Sequence, residues 1–286
     1  MEASNLFFVE ELVAVITGAG SGLGLIMAKA LEANGAAKVF IIGRNLEKLE
    51  KAAKQGKYGN IIPLQGDVTK KEDLIRIAAS VEESVGYVNL VIANAGSAAA
   101  GQMISGLTPE SSISEVQEFF LTRPWEAYTQ QFDVHVTATL YTCISFLRLL
   151  DAGNKRQNIT WTSQVIATGS AQGFNKNPLS GLGYSTSKAA ETHLMKSLAF
   201  MLGPYNIRSN ILAPGFYASE MTSPAFKHLN FTPDTFPAVI SPMRRMGREE
   251  EIAALILTLA SKGGAYCNGS VFLSDGGRLT QAPSVW

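Results

Sequence analysis

The chain has 286 residues, 46% hydrophobic and 17% charged, enough to bury the core of one large α/β domain or two small ones. Lys plus Arg and Asp plus Glu balance at 24 each, so no global field favours nucleic acid or anionic lipid. Two cysteines, Cys143 and Cys267, are too few for a disulfide framework and read as small apolar fillers in a reducing compartment.

Residues 1–11 carry Glu2, Glu10 and Glu11 without a basic cluster, unlike a secretory signal. No apolar run reaches the roughly 18 residues that span a bilayer. The expectation is a cytoplasmic protein with neither a nucleic-acid nor a membrane partner.

Leu12 to Thr17 is an apolar, β-branched run that ends in a glycine-rich turn, and a helical pattern follows from Gly22 to Asn34. Asn34-Gly35 closes that helix, and Lys38 to Ile42 reads as the next buried strand. A helix over Leu46–Lys54, a strand over Ile61–Gln65, a helix over Lys71–Ser84 and a strand over Leu90–Ala93 complete the first half. The second half reads as helices over Trp125–Leu150 and Tyr184–Leu202 and strands over Gln164–Thr168 and Ile207–Leu212, then a helix over Glu249–Ser261 and a strand over Ser270–Leu273. Continuous apolar strands alternating with amphipathic helices predict a doubly wound Rossmann-type α/β fold, a parallel seven-stranded sheet with helices on both faces. No linker or repeat interrupts it, so residues 1–286 form one domain. Two long irregular segments, 97–124 and 216–246, have the length of binding loops or lids.

Thr17-Gly18-Ala19-Gly20-Ser21-Gly22-Leu23-Gly24 falls between the first strand and the first helix, where such a sheet holds a dinucleotide pyrophosphate. Leu23 occupies the third glycine position of G-x-G-x-x-G, and the pattern is T-G-x-x-x-G-x-G instead. An NAD site normally offers an acid about 20 residues on, for the ribose 2′-hydroxyl. Here the second strand ends in Gly43-Arg44-Asn45 with no carboxylate, and the Arg44 fork suits a 2′-phosphate, which favours NADP over NAD.

Tyr184-Ser185-Thr186-Ser187-Lys188 places Tyr and Lys one helical turn apart on one face. A cation beside the phenol favours the phenolate, drawing the Tyr below its reference of about 10 and fitting it to proton exchange with a substrate oxygen.

Together these segments resemble the short-chain dehydrogenase/reductase family over nearly the whole chain. Asp67-Val68, Asn94-Ala95-Gly96, Pro214-Gly215 and Asp275-Gly276-Gly277 fall in that family's order alongside the glycine loop and Tyr184-x-x-x-Lys188. The resemblance implies that NADP(H) is held by Gly18, Ser21, Gly22, Leu23, Gly24, Arg44, Asp67, Val68, Asn94, Ala95, Gly96, Tyr184, Lys188, Pro214 and Gly215. Within that set, Asp67 would contact the adenine, Pro214-Gly215 would pack by the nicotinamide, and Lys188 would hold the nicotinamide ribose. The family's catalytic Ser lies shortly before the Tyr at the end of the fifth strand, which selects Ser170. Ser163 is the alternative, but it falls at the start of that strand.

One position departs from the family. Phe132-Asp133-Val134-His135-Val136 carries His135 where relatives have an Asn that links the Lys to solvent protons through a water. A His can donate and accept hydrogen bonds, and its reference pKa of about 6.5 suits a relay.

The reaction so implied is hydride transfer between NADP(H) and a ketone or secondary alcohol, with Tyr184 as proton donor and Ser170 bonded to the same oxygen. Phe216, Tyr217, Met221, Phe226, Phe231 and Phe236 make the substrate loop apolar and point to a hydrophobic substrate. A second reading assigns 3-oxoacyl thioesters, with Arg244, Arg245 and Arg248 receiving a phosphopantetheine carrier. A third, of another class, is a non-catalytic NADP-binding regulator, which retention of Ser170, Tyr184 and Lys188 disfavours. The family's habit predicts a homodimer or homotetramer.

Overall fold

Seven short apolar runs become strands: β1 (Val13–Thr17), β2 (Lys38–Gly43), β3 (Ile61–Gln65), β4 (Leu90–Ala93), β5 (Gln164–Thr168), β6 (Arg208–Pro214) and β7 (Val271–Ser274). They form one sheet in the order β3-β2-β1-β4-β5-β6-β7, every neighbouring pair parallel. The computed structural model describes residues 2, 4–97, 107–108, 110–177, 180–218, 232, 234–238 and 240–286, with the backbone alone at 4 and 5.

Burial on both faces explains why the central strands β1 and β4 are apolar runs rather than alternating. On β1, Ala14 and Ile16 join one core with Met27, Leu31, Ile252 and Leu259. Val13 and Val15 join the other, with Ile77, Phe146, Met195 and Leu198. The first face is covered by α1 (Gly22–Ala33), and by α2 (Leu46–Ala53), whose start is capped by the Asn45 side chain accepting from Lys48 N–H at 2.9 Å. The second is covered by α3 (Lys71–Val85), followed in the chain by α4 (Ile113–Leu121), α5 (Glu126–Phe132), α6 (Ala138–Ser145), α7 (Leu147–Arg156) and the long α8 (Leu182–Leu202). The last long helix, α9 (Glu249–Ala260), packs beside α1. No described helix is long and apolar enough to cross a membrane.

Strand order reverses between β1 and β4, and the crevice outside the carboxyl ends at such a reversal is where open α/β sheets bind ligands. Two elements differ from expectation. The single helix expected over Trp125–Leu150 is broken twice, by a π-helical turn at Asp133–Thr137 and by Phe146 (φ −104°, ψ 4°), which ends α6. Within 97–124, expected to be irregular, α4 forms behind a capping box in which Ser112 and Glu115 satisfy each other's backbone N–H. Residues 98–106 and 109 of that segment lie outside the described residues, as do 219–231, 233 and 239 of the substrate loop, and with them Met221, Phe226 and Phe231.

Candidate active site

At the carboxyl ends of β1, β2, β4, β5 and β6 lies a cleft of about 1030 Å³ that runs from Arg44 and Asp67 to Ser170 and Tyr184. A volume above the usual 300–1000 Å³ of small-ligand pockets fits an extended ligand such as a dinucleotide with a substrate at one end. Of the residues expected to act in catalysis or to hold the cofactor, all line this cleft except Gly24.

The glycine loop is shaped by its backbone. Gly18 sits at φ +65° with its N–H donated to Ile42 O at 2.8 Å, and a Cβ there would lie 2.8 Å from Ala95 Cα. Only glycine supplies both the left-handed turn and this close approach. Ser21, in extended conformation, precedes α1 and lines the cleft with Gly20, Gly22 and Leu23, which puts the amino end of that helix at the cleft, a natural anion site. Gly24 faces away and packs tightly: a Cβ there would stand 2.5 Å from Asn94 Nδ2.

Thr17 and Asn94 tie the two halves together at the reversal. Thr17 Oγ1 accepts the N–H groups of Asn94 and Ala95 at 3.0 Å each, and Asn94 Nδ2 donates to Thr17 O at 2.9 Å. Thr168 Oγ1 then donates to Asn94 Oδ1 at 3.0 Å, bringing β5 into the network.

At the far end, exposed Arg44 lines the cleft together with Lys48 on α2, a cation the sequence reading passed over. Asp67 Oδ1 accepts from the N–H and hydroxyl of Thr69 at 3.0 and 2.7 Å. Burial pushes the Asp67 carboxyl up, but the Thr69 hydrogen bonds and the Arg44 and Lys70 charges outweigh it and hold the group below the usual range.

At the catalytic end, Ser170 opens a 3₁₀ turn (Ala171–Gly173), and its Oγ accepts from Gln172 N–H at 3.1 Å, leaving its own proton to donate. Ser163 sits at the other end of β5, buried, with its hydroxyl directed to Val88 O, and lies off the cleft. Tyr184 is half-buried in the first turn of α8, its ring edge-on to His135 with centroids 5.3 Å apart. Lys188 is buried and donates to Thr168 O and to Glu191 Oε2, both at 2.8 Å. Glu191, absent from the sequence expectations, is itself fully buried and accepts from Thr139 Oγ1 at 3.0 Å. Burial pushes this carboxyl up, opposed by Lys188 and Thr139.

His135 occupies the π-helical turn, a feature frequent at functional sites. Its Nε2 accepts from Ser97 N–H at 3.3 Å, so Nδ1 carries the ring proton and donates to Ser187 Oγ at 2.9 Å. Ser187 in turn donates to Tyr184 O at 2.9 Å. Burial, and then the Lys188 charge, push the ring down to about 2 against the opposing Ser97 bond. Burial thus keeps His135 neutral, and its two ring nitrogens bridge the residues after β4 to α8.

Gly215 N–H donates to Ser274 O at 2.8 Å, and a Cβ at Gly215 would lie 2.6 Å from Asp275 Cα, so Pro214-Gly215 packs directly on Asp275-Gly276-Gly277. Asp275 accepts the N–H groups of Gly277 and Leu279 at 2.9 and 2.8 Å, closing the turn into the short helix Arg278–Gln281. Of the aromatic loop residues, Phe216 and Phe236 pack on each other with ring centroids 5.4 Å apart, while Tyr217 lines the cleft with its hydroxyl 2.6 Å from Ser274 Oγ. Arg245 is engaged by Glu251 at 2.5 Å, and Arg248 lies 3.7 Å from Asp234, so two of the three arginines suggested for a carrier already face acids.

A family model described as short chain dehydrogenase matches residues 12–230. The short-chain dehydrogenase/reductase PhomF' of Diaporthe leptostromiformis is 46% identical over 286 residues, covering 99% of this chain and 97% of its own. A rhamnolipids biosynthesis 3-oxoacyl-[acyl-carrier-protein] reductase of Pseudomonas aeruginosa is 30% identical over 269 residues, covering 93% and 95%. Among solved structures, the Pseudomonas aeruginosa RhlG/NADP active-site complex superposes with a TM-score of 0.77 at 28% identity, covering 97% of this chain and 99% of that one.

Proposed function

The chain belongs to the short-chain dehydrogenase/reductase family, and from that premise we propose that it is an NADP(H)-dependent enzyme interconverting a ketone and a secondary alcohol. Members are oxidoreductases that use a nicotinamide dinucleotide, act on small molecules and commonly form oligomers. The observation that carries the reading is one cleft lined at one end by the glycine turn and at the other by Ser170, Tyr184 and Lys188.

The residues fit the cofactor. The Gly18 turn and the amino end of α1 would receive the pyrophosphate, Asp67 and Val68 the adenosine side, and Pro214-Gly215 the nicotinamide side. Arg44, joined by Lys48 and with no carboxylate at the end of β2, supports NADP over NAD. When bound, the nicotinamide supplies or takes the hydride at the substrate carbon.

The chain's own groups manage the oxygen. In the reducing direction Tyr184 gives its phenolic proton to the carbonyl oxygen, and Ser170 donates a hydrogen bond to the same atom. Lys188, held by Thr168 and Glu191, keeps a positive charge in the cleft beside these groups. His135 acts as the neutral strut that orients α8 through Ser187. Tyr217 is the described aromatic wall that supports an apolar substrate.

The thioester alternative is favoured by the 30% identical acyl-carrier reductase and weakened by the acids that engage Arg245 and Arg248. An NADPH-oxidation screen over ketones, quinones and oxoacyl thioesters, run beside Tyr184→Phe, tests both. A ketone should turn over and the variant should lose about 100-fold or more. Equal turnover by the variant sinks the mechanism, and tight NADPH binding without turnover across the panel would favour a binding-only protein.

A further inference from the structure

Lys188 and Glu191 form an ion pair with side chains 5% and 1% exposed, which is an unusual environment for two charges. They stand three residues apart on α8, and their partners come from two other elements: Thr168 O at the end of β5 and Thr139 Oγ1 on α6. The carboxylate uses one oxygen for the ammonium and the other for Thr139. The ammonium commits two of its three donors to Thr168 and Glu191, leaving one for a ligand in the cleft it lines.

We propose that Glu191 is a positioning residue of this site: its buried carboxylate fixes Lys188 against Thr168 and supplies the counter-charge on the protein side of the ammonium, where burial removes most of its hydration. The proposal rests on the reading that Lys188 works in NADP(H)-dependent chemistry. An isolated ammonium taken out of water loses its hydration and gives up its proton unless a partner replaces it. Glu191 is the one carboxylate ion-paired to Lys188 among the described residues. Other titratable groups around the pair offer no substitute. His135, on the π-helical turn, is neutral, and Cys143, on α6, is held protonated with its thiol pushed up to about 12 by burial and Glu191. Tyr184, one turn earlier on α8, is itself part of the reacting machinery.

The experiment measures NADPH affinity by intrinsic fluorescence from pH 6 to 10 for the wild type, Glu191→Leu, Glu191→Gln, Thr139→Val and Lys188→Ala. Glu191→Leu removes both the acceptor and the counter-charge, and should weaken binding about 10-fold at neutral pH, with the alkaline loss of affinity starting about one pH unit lower. Glu191→Gln retains an acceptor without charge. It should recover most of the affinity at pH 6–7 while keeping the displaced alkaline limb. Thr139→Val should weaken binding about 3-fold with a smaller displacement, since the pair itself survives.

Wild-type affinity and pH dependence in both Glu191 variants would overturn the proposal. If Glu191→Leu does not fold, an unchanged alkaline limb in Glu191→Gln is sufficient to overturn it. Wild-type NADPH affinity and ketone turnover in Lys188→Ala would instead sink the underlying reading. Impairment in Lys188→Ala with both Glu191 variants unaffected removes only the role of Glu191.

Discussion

Ser97 donates its backbone N–H to Nε2 of His135 across 3.3 Å, and this single contact fixes which ring nitrogen is the acceptor. With Nδ1 committed to Ser187, the ring has no further site for a proton without breaking a bond. The folded ring titrates at about 2, below the unfolded value of about 6.5, so the unfolded chain takes up the proton first as pH falls. The stabilisation is complete above 6.5 and is lost as pH drops from 6.5 toward 2. At pH 5.5 the loss is about 1.4 kcal/mol, or roughly 3–6 °C in Tm for a chain of this size. His135→Asn should show a smaller fall in Tm between pH 7.5 and 5.5 than the wild type, by that margin. Equal falls would mean the ring is not held neutral.

The proposed preference for NADP over NAD rests on Arg44. It lies exposed at the end of β2 and lines the cleft with Lys48, and its charge reaches Asp67 across that end. If Arg44 receives the 2′-phosphate as proposed, Arg44→Asp removes a charge-assisted contact and adds repulsion, so NADPH affinity should fall about 10- to 100-fold. NADH affinity should hold or rise, because a carboxylate suits a 2′-hydroxyl. Titrations with both dinucleotides check this, and an unchanged preference places the phosphate contact on another residue.

Gly24 tests how the loop is packed rather than what it touches. A Cβ there would lie 2.5 Å from Asn94 Nδ2 and 2.8 Å from Gly18 O, wedging the loop away from β4. Gly24→Ala should cost about 1–3 kcal/mol through overpacking and weaken NADPH binding, since Asn94 and Gly18 both line the cleft. Gly203→Ala is the control: φ is −52° and nothing lies within 4 Å of the added carbon. It should leave binding unchanged and leave stability equal or slightly higher. Similar losses in both variants would rule out a packing role specific to Gly24.

What the sequence made legible was local. Apolar runs bounded by glycine turns located the strands, and β5 falls at Gln164–Thr168 as expected, because buried parallel strands carry their signature within a few residues. Tyr184, Lys188, Ser170 and the glycine loop share one cleft because each motif sits at the carboxyl end of a strand or at the start of the helix beyond one. Glu191 was hidden for the opposite reason. In an isolated helix it reads as a solvent-facing charge, and only folding brings Thr139, Thr168 and Lys188 around it. The π-helical turn at Asp133–Thr137 was equally invisible, since a one-residue bulge leaves no break in composition. The start of α4 is readable: Ser112-x-x-Glu115 is a capping box inside a segment otherwise poor in regular pattern.

Residues 283–286 fold back onto the segment that follows Ser170. Lys176 N–H donates to Pro283 O at 2.7 Å, and Val285 N–H donates to Phe174 O at 2.9 Å. The Trp286 ring stands edge-on to Phe174 with centroids 4.9 Å apart. One residue before Phe174 the Ser170 turn ends, and Gln172 from that turn donates to Ser185 Oγ at 3.2 Å beside Tyr184. The tail thus braces the stretch that sets Ser170 relative to Tyr184, while the cofactor end of the cleft is built from β1, β2 and β4. Deleting residues 283–286 should lower kcat/KM for a ketone about 3- to 10-fold, through loosened alignment of the two oxygen-binding groups. NADPH affinity should stay at the wild-type value. Trp286→Ala should give a smaller effect in the same direction, because the two backbone hydrogen bonds remain. A deletion that weakens NADPH binding and leaves kcat/KM otherwise intact would show that the tail braces the cofactor side instead.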